Sequence, residues 1–309
     1  PPPITSWREK SRLQPELPLM ITTRSQRWRD RRCRWVPGAT EIDPRRFAVD
    51  VIDTVKQTAP FVRQHHYAAS MPVTRLSVGL FRNGAGGQSD LVGVCVFAHP
   101  VNNASVPKSA GLPDPRSACD LGRLVLLDDT GGNAETWMLS RAFKLLRREK
   151  PEIVSVISYA DPIRRTDEQG QVFMPGHVGT LYCVMGSRYT GRSSACIDLI
   201  LPNGQPISSR AISKIRNDEC GQRYAAEQLV AAGARARRSG EDAAHWLADL
   251  ERVGFLRRRK HPGNHTYLFP LTNAARIAAR KVPSLPYPVL DRAATGGDVT
   301  VLPLLAHAA

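Results

Sequence analysis

A chain of 309 residues, 42% of them hydrophobic, can bury one large core or a core plus a smaller appendage, which excludes a disordered tail protein. Its 43 Lys and Arg against 28 Asp and Glu leave a formal charge of +15, which suits a polyanionic partner because neutralised phosphates release their counterions. Six scattered cysteines without a Cys-x-x-Cys pair speak against structural zinc and for a reduced, cytoplasmic setting; no apolar run reaches the ~18 residues of a membrane span, and PPPITSWREK lacks the apolar centre of a secretion signal.

Residues 1–45 are rich in Pro, Arg and Trp and have no clean period. In RSQRWRDRRCRW the arginines interleave with Trp28 and Trp35. Such a segment either tracks a phosphate backbone while an aromatic stacks on a base, or packs as an arm on its own domain. Phe47, Val51, Val55 and Phe61 predict a helix over 46–63. LSVGLFR and LVGVCVFAHP read as strands joined by a glycine-bearing turn at Asn83–Asp90, with Cys95 in the core. Residues 100–118 read as a Pro/Ser/Asn-rich loop. LGRLVLLD is a third strand, and after TGGN the segment ETWMLSRAFKLLRREK is an amphipathic helix ending at Pro151. EIVSVISYAD is a strand with Tyr159 and Asp161 at its polar end. A polar loop, PIRRTDEQGQVFMP, follows. GHVGTLYCVMG opens a short helix, and SRYTGRS returns the chain to a strand, ACIDLILP. This order is that of an α/β fold, neither barrel nor solenoid.

From residue 206 the composition shifts. ISSRAISKIR is basic, helices are predicted over 222–239 and 241–254, and RRRKHPGNHTYLFPL reads as a basic turn followed by a strand. Helix, helix and basic hairpin is also the layout of a winged-helix DNA reader. The chain thus divides into a basic arm (1–45), a catalytic domain (46–205), a basic helical/hairpin extension (206–285) and a loosely structured tail (286–309).

The block 121–190 carries the chemistry. The strand LGRLVLLD leads through Gly131 and Gly132 into a helix whose free N–H groups and dipole would favour a pyrophosphate; alternatively, Asn133 or Thr130 simply caps that helix. The following strand ends at SYAD, and the next helix carries Tyr182 in LYCVMGSRYTG. This order resembles the GNAT superfamily of acetyltransferases, although the usual Gln/Arg-x-x-Gly-x-Gly/Ala loop is absent. A closer resemblance is to the Mom family of phage DNA-modification proteins, a divergent GNAT group. It covers roughly 60–195 through HHY (65–67), LVGVCVFAHP, LGRLVLLD, NAETWMLSRA, SYADP and GHVGTLYCVMGSRYTG, with an echo in KHPGNHTYLFPL.

The resemblance implies a GNAT-like mixed, mostly antiparallel sheet flanked by helices. It implies attachment of a carbamoylmethyl group to adenine N6, protecting phage DNA from restriction. It also implies a small-molecule donor, acyl-CoA or a related compound, held by Gly131, Gly132, Asn133 and Thr136. The other functions considered are an N-acyltransferase acting on a small amine or protein and a non-enzymatic winged-helix regulator.

The expected catalytic residues are His66, Tyr67, Arg123, Asp161 and Tyr182. Tyr67 and His66, with His65 beside them, follow the first helix; Tyr67 is expected to hold, deprotonate or stack on the target base. Arg123 lies inside an apolar strand and needs a carboxylate or a phosphate, Asp161 being the natural partner. Asp161 orients the amine, acts as a base or caps a loop. Tyr182 matches the GNAT tyrosine that protonates a leaving thiolate. His177 is a proton shuttle or a cap residue, and no ligand spacing demands a metal. Arg257, Arg258, Arg259 and Lys260, together with Arg29 and Arg31 in a run that includes Arg27 and Arg32, are the expected DNA contacts.

Overall fold

The computed structural model describes residues 24–37, 42–84 and 89–288. Most of the basic arm (1–23), the end of the tail (289–309) and the middle of the Asn83–Asp90 turn lie outside the described residues. The part of the arm that is described is an antiparallel hairpin of β1 (Arg24–Arg29) and β2 (Arg32–Pro37). Its two-residue turn puts Asp30 and Arg31 at φ 51° and 63°, the left-handed pair that matches strand twist. His65 supports this turn: its carbonyl accepts the Arg31 N–H at 3.0 Å and its Nδ1 the Asp30 N–H at 3.4 Å.

The helix expected over 46–63 is a strand followed by a shorter helix. β3 (Phe47–Val51) pairs with β4 (Thr74–Asn83) at the sheet edge. Residues four apart share a face in a strand as well as in a helix, so Phe47 and Val51 satisfied both patterns, and the open edge of β4 decided between them. Helix begins only after Asp53, whose carboxylate accepts the N–H groups of Val55 and Lys56. One π-type turn (Thr54–Thr58) then leads into α1 (Ala59–His65).

β5 (Ser89–Ala98) completes the predicted hairpin with β4. The expected loop 100–118 contains a short helix, α2 (Ser105–Ala110), whose first turn is held by Asn102 and whose Val106 and Ala110 are buried. β6 (Ala118–Leu126), α3 (Ala134–Glu149) and β7 (Ser155–Ala160) form the parallel crossover. α3 buries Met138, Leu139, Ala142 and Leu146 on one face, each large side chain contributing about 1.5–3 kcal/mol of apolar transfer. β6 and β7 pair only through Ala118–Asp120 with Ser155–Ile157, so the rest of β6 bonds to β5 alone and parts from β7. β8 (Arg165–Thr166) and β9 (Val172–Met174) form a small ribbon, and α4 (Thr180–Val184) and β10 (Arg188–Arg192) follow.

The C-terminal third departs further from the sequence reading. β11 (Cys196–Ile200) and β12 (Pro206–Ile207) precede three helices, α5 (Ser209–Arg216), α6 (Gln222–Ala231) and α7 (Ala243–Arg252). β13 (Arg257–His261) and β14 (His265–Pro270) do not pair with each other. β13 runs antiparallel to β11, from Ile200 opposite Arg257 to Cys196 opposite His261. β14 inserts between β10 and β7. The expected basic hairpin is therefore absent, and the basic run is not the wing of a winged helix. The short helix α8 (Asn273–Ala278) follows.

The result is an α/β fold with a seven-stranded sheet, β10-β14-β7-β6-β5-β4-β3, antiparallel except at β6–β7. A second core around Ile212, Ile215, Leu229, Trp246, Leu247 and Leu250 joins α5, α6 and α7 to the three-stranded sheet β12-β11-β13. No described helix is long and apolar enough to cross a membrane.

One carboxyl of β6 is buried without an ion-pair partner among the described residues. Asp120 is 4% exposed; its Oδ2 accepts only the Val101 N–H at 3.2 Å, and its Oδ1 has no partner among the described residues. Burial pushes it up to about 7. Its folded pKa exceeds its unfolded one, so its contribution to stability is present below about pH 4 and lost as pH rises to about 7. Asp120→Asn should therefore stabilise the protein relative to the parent at pH 7.5, with the difference shrinking by up to about 1.4 kcal/mol per pH unit towards pH 5. Urea unfolding of both proteins at the two pH values measures this.

Candidate active site

The site is organised by Asp161, the residue that follows β7. Its Oδ1 accepts the Ile163 N–H at 2.8 Å and His261 Nε2–H at 3.2 Å, and its Oδ2 is bound by the Arg165 guanidinium. His261 Nδ1 accepts the Gly263 N–H at 3.0 Å, which places the neutral ring's proton on Nε2. All three side chains are buried. The expected Arg123–Asp161 pair does not form. Asp161 is taken by an arginine four residues on and by the histidine that ends β13, both within shorter reach.

Gly176 brings the next segment close. Its φ is 77°, and a Cβ there would lie 2.5 Å from the Pro162 carbonyl oxygen. The neighbouring His177 N–H donates to the Asp161 carbonyl at 2.8 Å. Gly179 plays the same part for α4: a Cβ would come within 2.6 Å of Tyr267. α4 therefore starts tight against β14, and Tyr182 packs on Tyr267 with ring centroids 5.2 Å apart. Burial, with Tyr67 and Cys95 nearby, raises the Tyr182 phenol and keeps it protonated.

Tyr67 stands between aromatic and cationic neighbours. Its ring lies 4.9 Å from Trp28 and 4.3 Å from His66, and the Arg165 guanidinium carbon is 5.5 Å from its centre. Burial raises its pKa, opposed by Arg165 and Arg123. Burial holds His66 well below the usual imidazole range, reinforced by Arg123, Arg165 and His177. His66 Nδ1 accepts the Ala68 N–H at 3.1 Å. Arg123 is half-buried and has no carboxylate partner among the described residues. It donates to the Ser70 carbonyl and hydroxyl, at 3.1 Å each, and to the Gly122 carbonyl. Thus His66, Tyr67, Arg123, Asp161 and Tyr182 converge, with Arg165 and His177 among them. His65 stands apart, supporting the hairpin turn.

The loop expected to hold a donor lies elsewhere on the sheet, between β6 and α3. Arg27, fully buried, donates to Thr130 Oγ1 at 2.9 Å and the Gly131 carbonyl at 2.7 Å, and pairs with Glu135. Its pKa falls to about 10 through burial. The Gly132 carbonyl accepts the Ile42 N–H at 2.9 Å. In trans peptides C=O and the next N–H are antiparallel, so the amides of Gly132 and Asn133 point away from these partners. No side chain caps α3, and Thr136 bonds back to the Asn133 carbonyl. The nearby carboxylates of Asp128, Asp129 and Glu135 are each ion-paired to arginines. The head of α3 is thus chemically compatible with an anionic group.

A cleft of about 1240 Å³ opens beside Tyr67, between the hairpin turn, residues 67–71, the β8–β9 ribbon and the second core. Of the expected DNA contacts, Arg31, at the hairpin turn, and Arg258 line it. Arg29 is turned to Asp128 and Asp129, and Arg27 is internal, so with Arg32 three of the four arginines of the first basic run grip their own domain. Arg32 pairs with Asp167, Arg258 with Glu251 and Arg259 with Asp198. Arg257 and Lys260 are exposed, with no ion pair among the described residues. Trp28 is buried, whereas Trp35 is half exposed.

Two participants escaped the sequence reading. Arg165 sat in a segment read as a polar loop, and His261 closed a run read only as charge. Its place in KHPGNHTY, a piece that already resembled the Mom ending, was the available signal. Comparison with family models matches residues 46–289 to the Mom protein family. Among the curated proteins no match was found.

Three histidines here set an acid limit. Burial lowers His66, His177 and His265, the last to about 4. Their folded pKa values lie below the unfolded value of ~6.5, so the unfolded chain takes up protons first as pH falls. Their contribution is complete above ~6.5 and declines as pH drops through the folded values, to about 4 for His265. His265→Gln should weaken the loss of stability between pH 7.5 and 5, measured by urea midpoints against the parent.

Proposed function

Because the chain belongs to the Mom protein family, we propose that it is a transferase attaching a small carbamoylmethyl-type group to the N6 amine of adenine. Family membership makes it a phage DNA-modification protein with DNA as its substrate. The observation that carries the finer reading is the convergence of Tyr67, Tyr182, Arg123, Arg165, Asp161 and His177, of which Tyr67 and Arg165 line a large cleft. The parting of β6 from β7 supports a GNAT-like core, since an open seam between strands admits a ligand arm.

The groups divide by proton state. Tyr67 and Tyr182 keep their protons and serve as donors. Arg123, which has no carboxylate partner among the described residues, supplies positive charge where negative charge develops. Asp161 already accepts three hydrogen bonds, and through two of them it orients Arg165 and His261. His177 stays neutral through burial, and its ring has no hydrogen-bond partner among the described residues. It is the base that receives the amine proton. Tyr67, flanked by Trp28 and His66, is the surface on which the target base stacks once it has left the duplex. A donor related to acyl-CoA would be held by the amides of Gly132 and Asn133, with Gly131 giving the turn and Thr136 beside it, and would supply the carbon that bonds to N6 as its bond to the leaving group breaks, the leaving group departing with the Tyr182 proton and the amine proton passing to His177.

Nucleoside mass spectrometry of DNA from cells expressing the protein tests this reading. A new modified adenosine is the expected product. His177→Gln, Tyr67→Phe and Tyr182→Phe should each reduce its yield by about 10²-fold or more with unchanged melting temperature, the usual scale for an acid–base group. Wild-type yield from His177→Gln would remove it as the base.

Arg257 and Lys260 lie on a strand beside the cleft and are the unpaired part of the basic run. On duplex DNA, Arg257→Gln with Lys260→Gln should flatten the log–log salt slope by roughly 0.9 per contact, equally on all sequences. An unaltered slope by fluorescence anisotropy would make them solvated charges only.

A further inference from the structure

The cleft has two walls of different origin. One is the hairpin turn, Asp30 to Arg32; the other is α5. On α5, Ser209, Ile212, Ser213 and Arg216 recur at i, i+3, i+4 and i+7, and all four line the cleft. Most cleft cations are already neutralised: Arg32 by Asp167, Arg165 by Asp161 and Arg258 by Glu251. Two are not. Arg216 is exposed without an ion pair among the described residues. Arg31 uses its Nε on the Arg63 carbonyl at 3.1 Å and has no carboxylate partner among the described residues. The two free cations thus stand on opposite walls. The rest of the lining is mixed: the apolar Phe173, Leu199, Leu201 and Ile207 stand with Asn203, Gln205 and the carboxylates of Asp30, Asp167, Asp198 and Glu251, and Tyr67 also lines the cleft.

This layout distinguishes forms of nucleic acid. A duplex keeps its base faces stacked and offers phosphates and groove edges, so Tyr67 and the apolar part of the lining would gain nothing from it. A single strand offers phosphates and unstacked base faces together. The volume, about 1240 Å³, exceeds the roughly 300–1,000 Å³ of a small-molecule pocket and suits a few nucleotides of one strand. We propose that the cleft binds a single-stranded segment of the DNA substrate, with Arg31 and Arg216 on phosphates flanking the nucleotide whose base reaches Tyr67. This rests on the reading above that DNA is modified at the Tyr67 site, and it names the form in which that DNA is held.

The test is fluorescence anisotropy of the full chain with a labelled 12-nucleotide single-stranded DNA, the duplex of the same sequence, and the corresponding RNA. Arg31→Gln and Arg216→Gln are exposed changes, checked for unchanged melting temperature. Each should lower the single-strand salt slope by about 0.7 and the affinity at 0.1 M salt by about fivefold. Lys108→Gln on α2, outside the cleft, should change neither. Slopes equal to the parent's in both arginine variants overturn the proposal. So does an equal loss on intact duplex, which would make the cleft a duplex site, or tighter binding of the RNA than of the DNA. Absence of any modified nucleoside from the parent protein would overturn the functional reading instead, while the strand-binding result stands by itself.

Discussion

The carboxylate of Asp161 is the point at which the separate parts of this protein are tied together. It sits at the end of a central strand and collects a backbone amide, a guanidinium and an imidazole. Through Arg165 it fixes the ribbon that forms one side of the cleft. Through His261 it fixes the end of β13, and with it the second core. Through its own carbonyl it holds the segment that carries His177. A buried charge satisfied from three directions leaves little freedom to any of them, because breaking one contact would strand the others in a low-dielectric setting. Site geometry and domain arrangement are therefore one constraint.

The topology explains why a cleft exists at this place. The chain leaves the main sheet after β10, builds three helices and a small sheet, and returns to fill the slot between β10 and β7 with β14. An excursion anchored at both ends beside the same strand cannot move far from the site. Its strand β11 and helix α5 face residues 67–71 across a gap that neither core fills. The cleft is the seam between two hydrophobic cores, the usual place for a binding site.

The hairpin at the N-terminal side shows how charge is divided between structure and function. Arg27 is interior and Arg29 is ion-paired, so both fasten the hairpin to the loop between β6 and α3. Arg31 at the turn lines the cleft and has no carboxylate partner among the described residues. That turn is available only because His65 satisfies two of its amides, which offsets the cost of two non-glycine residues in left-handed geometry. The Trp28 ring, directed inward, becomes part of the wall against which Tyr67 is packed.

The sequence by itself determined the α/β class, the hairpin of β4 and β5, the crossover through α3 and the position of Asp161 at a strand end. Runs such as LVGVCVFA and a 16-residue amphipathic helix admit few other states, since local pattern and burial agree. His66, Tyr67, Arg123, Asp161 and Tyr182 were singled out from short motifs as candidates, and the fold brings them near one another. Only the tertiary structure decided what these residues touch. Arg123 lost Asp161 to Arg165 and His261, whose approach depends on a loop and on a strand 100 residues away. Phe47 to Val51 became a strand because an edge was open to it. The basic run split into paired and free charges because β13 chose β11 and left β14 to the main sheet. Strand partnership and ion pairing are long-range competitions among groups of the same kind, and periodicity records only which groups compete.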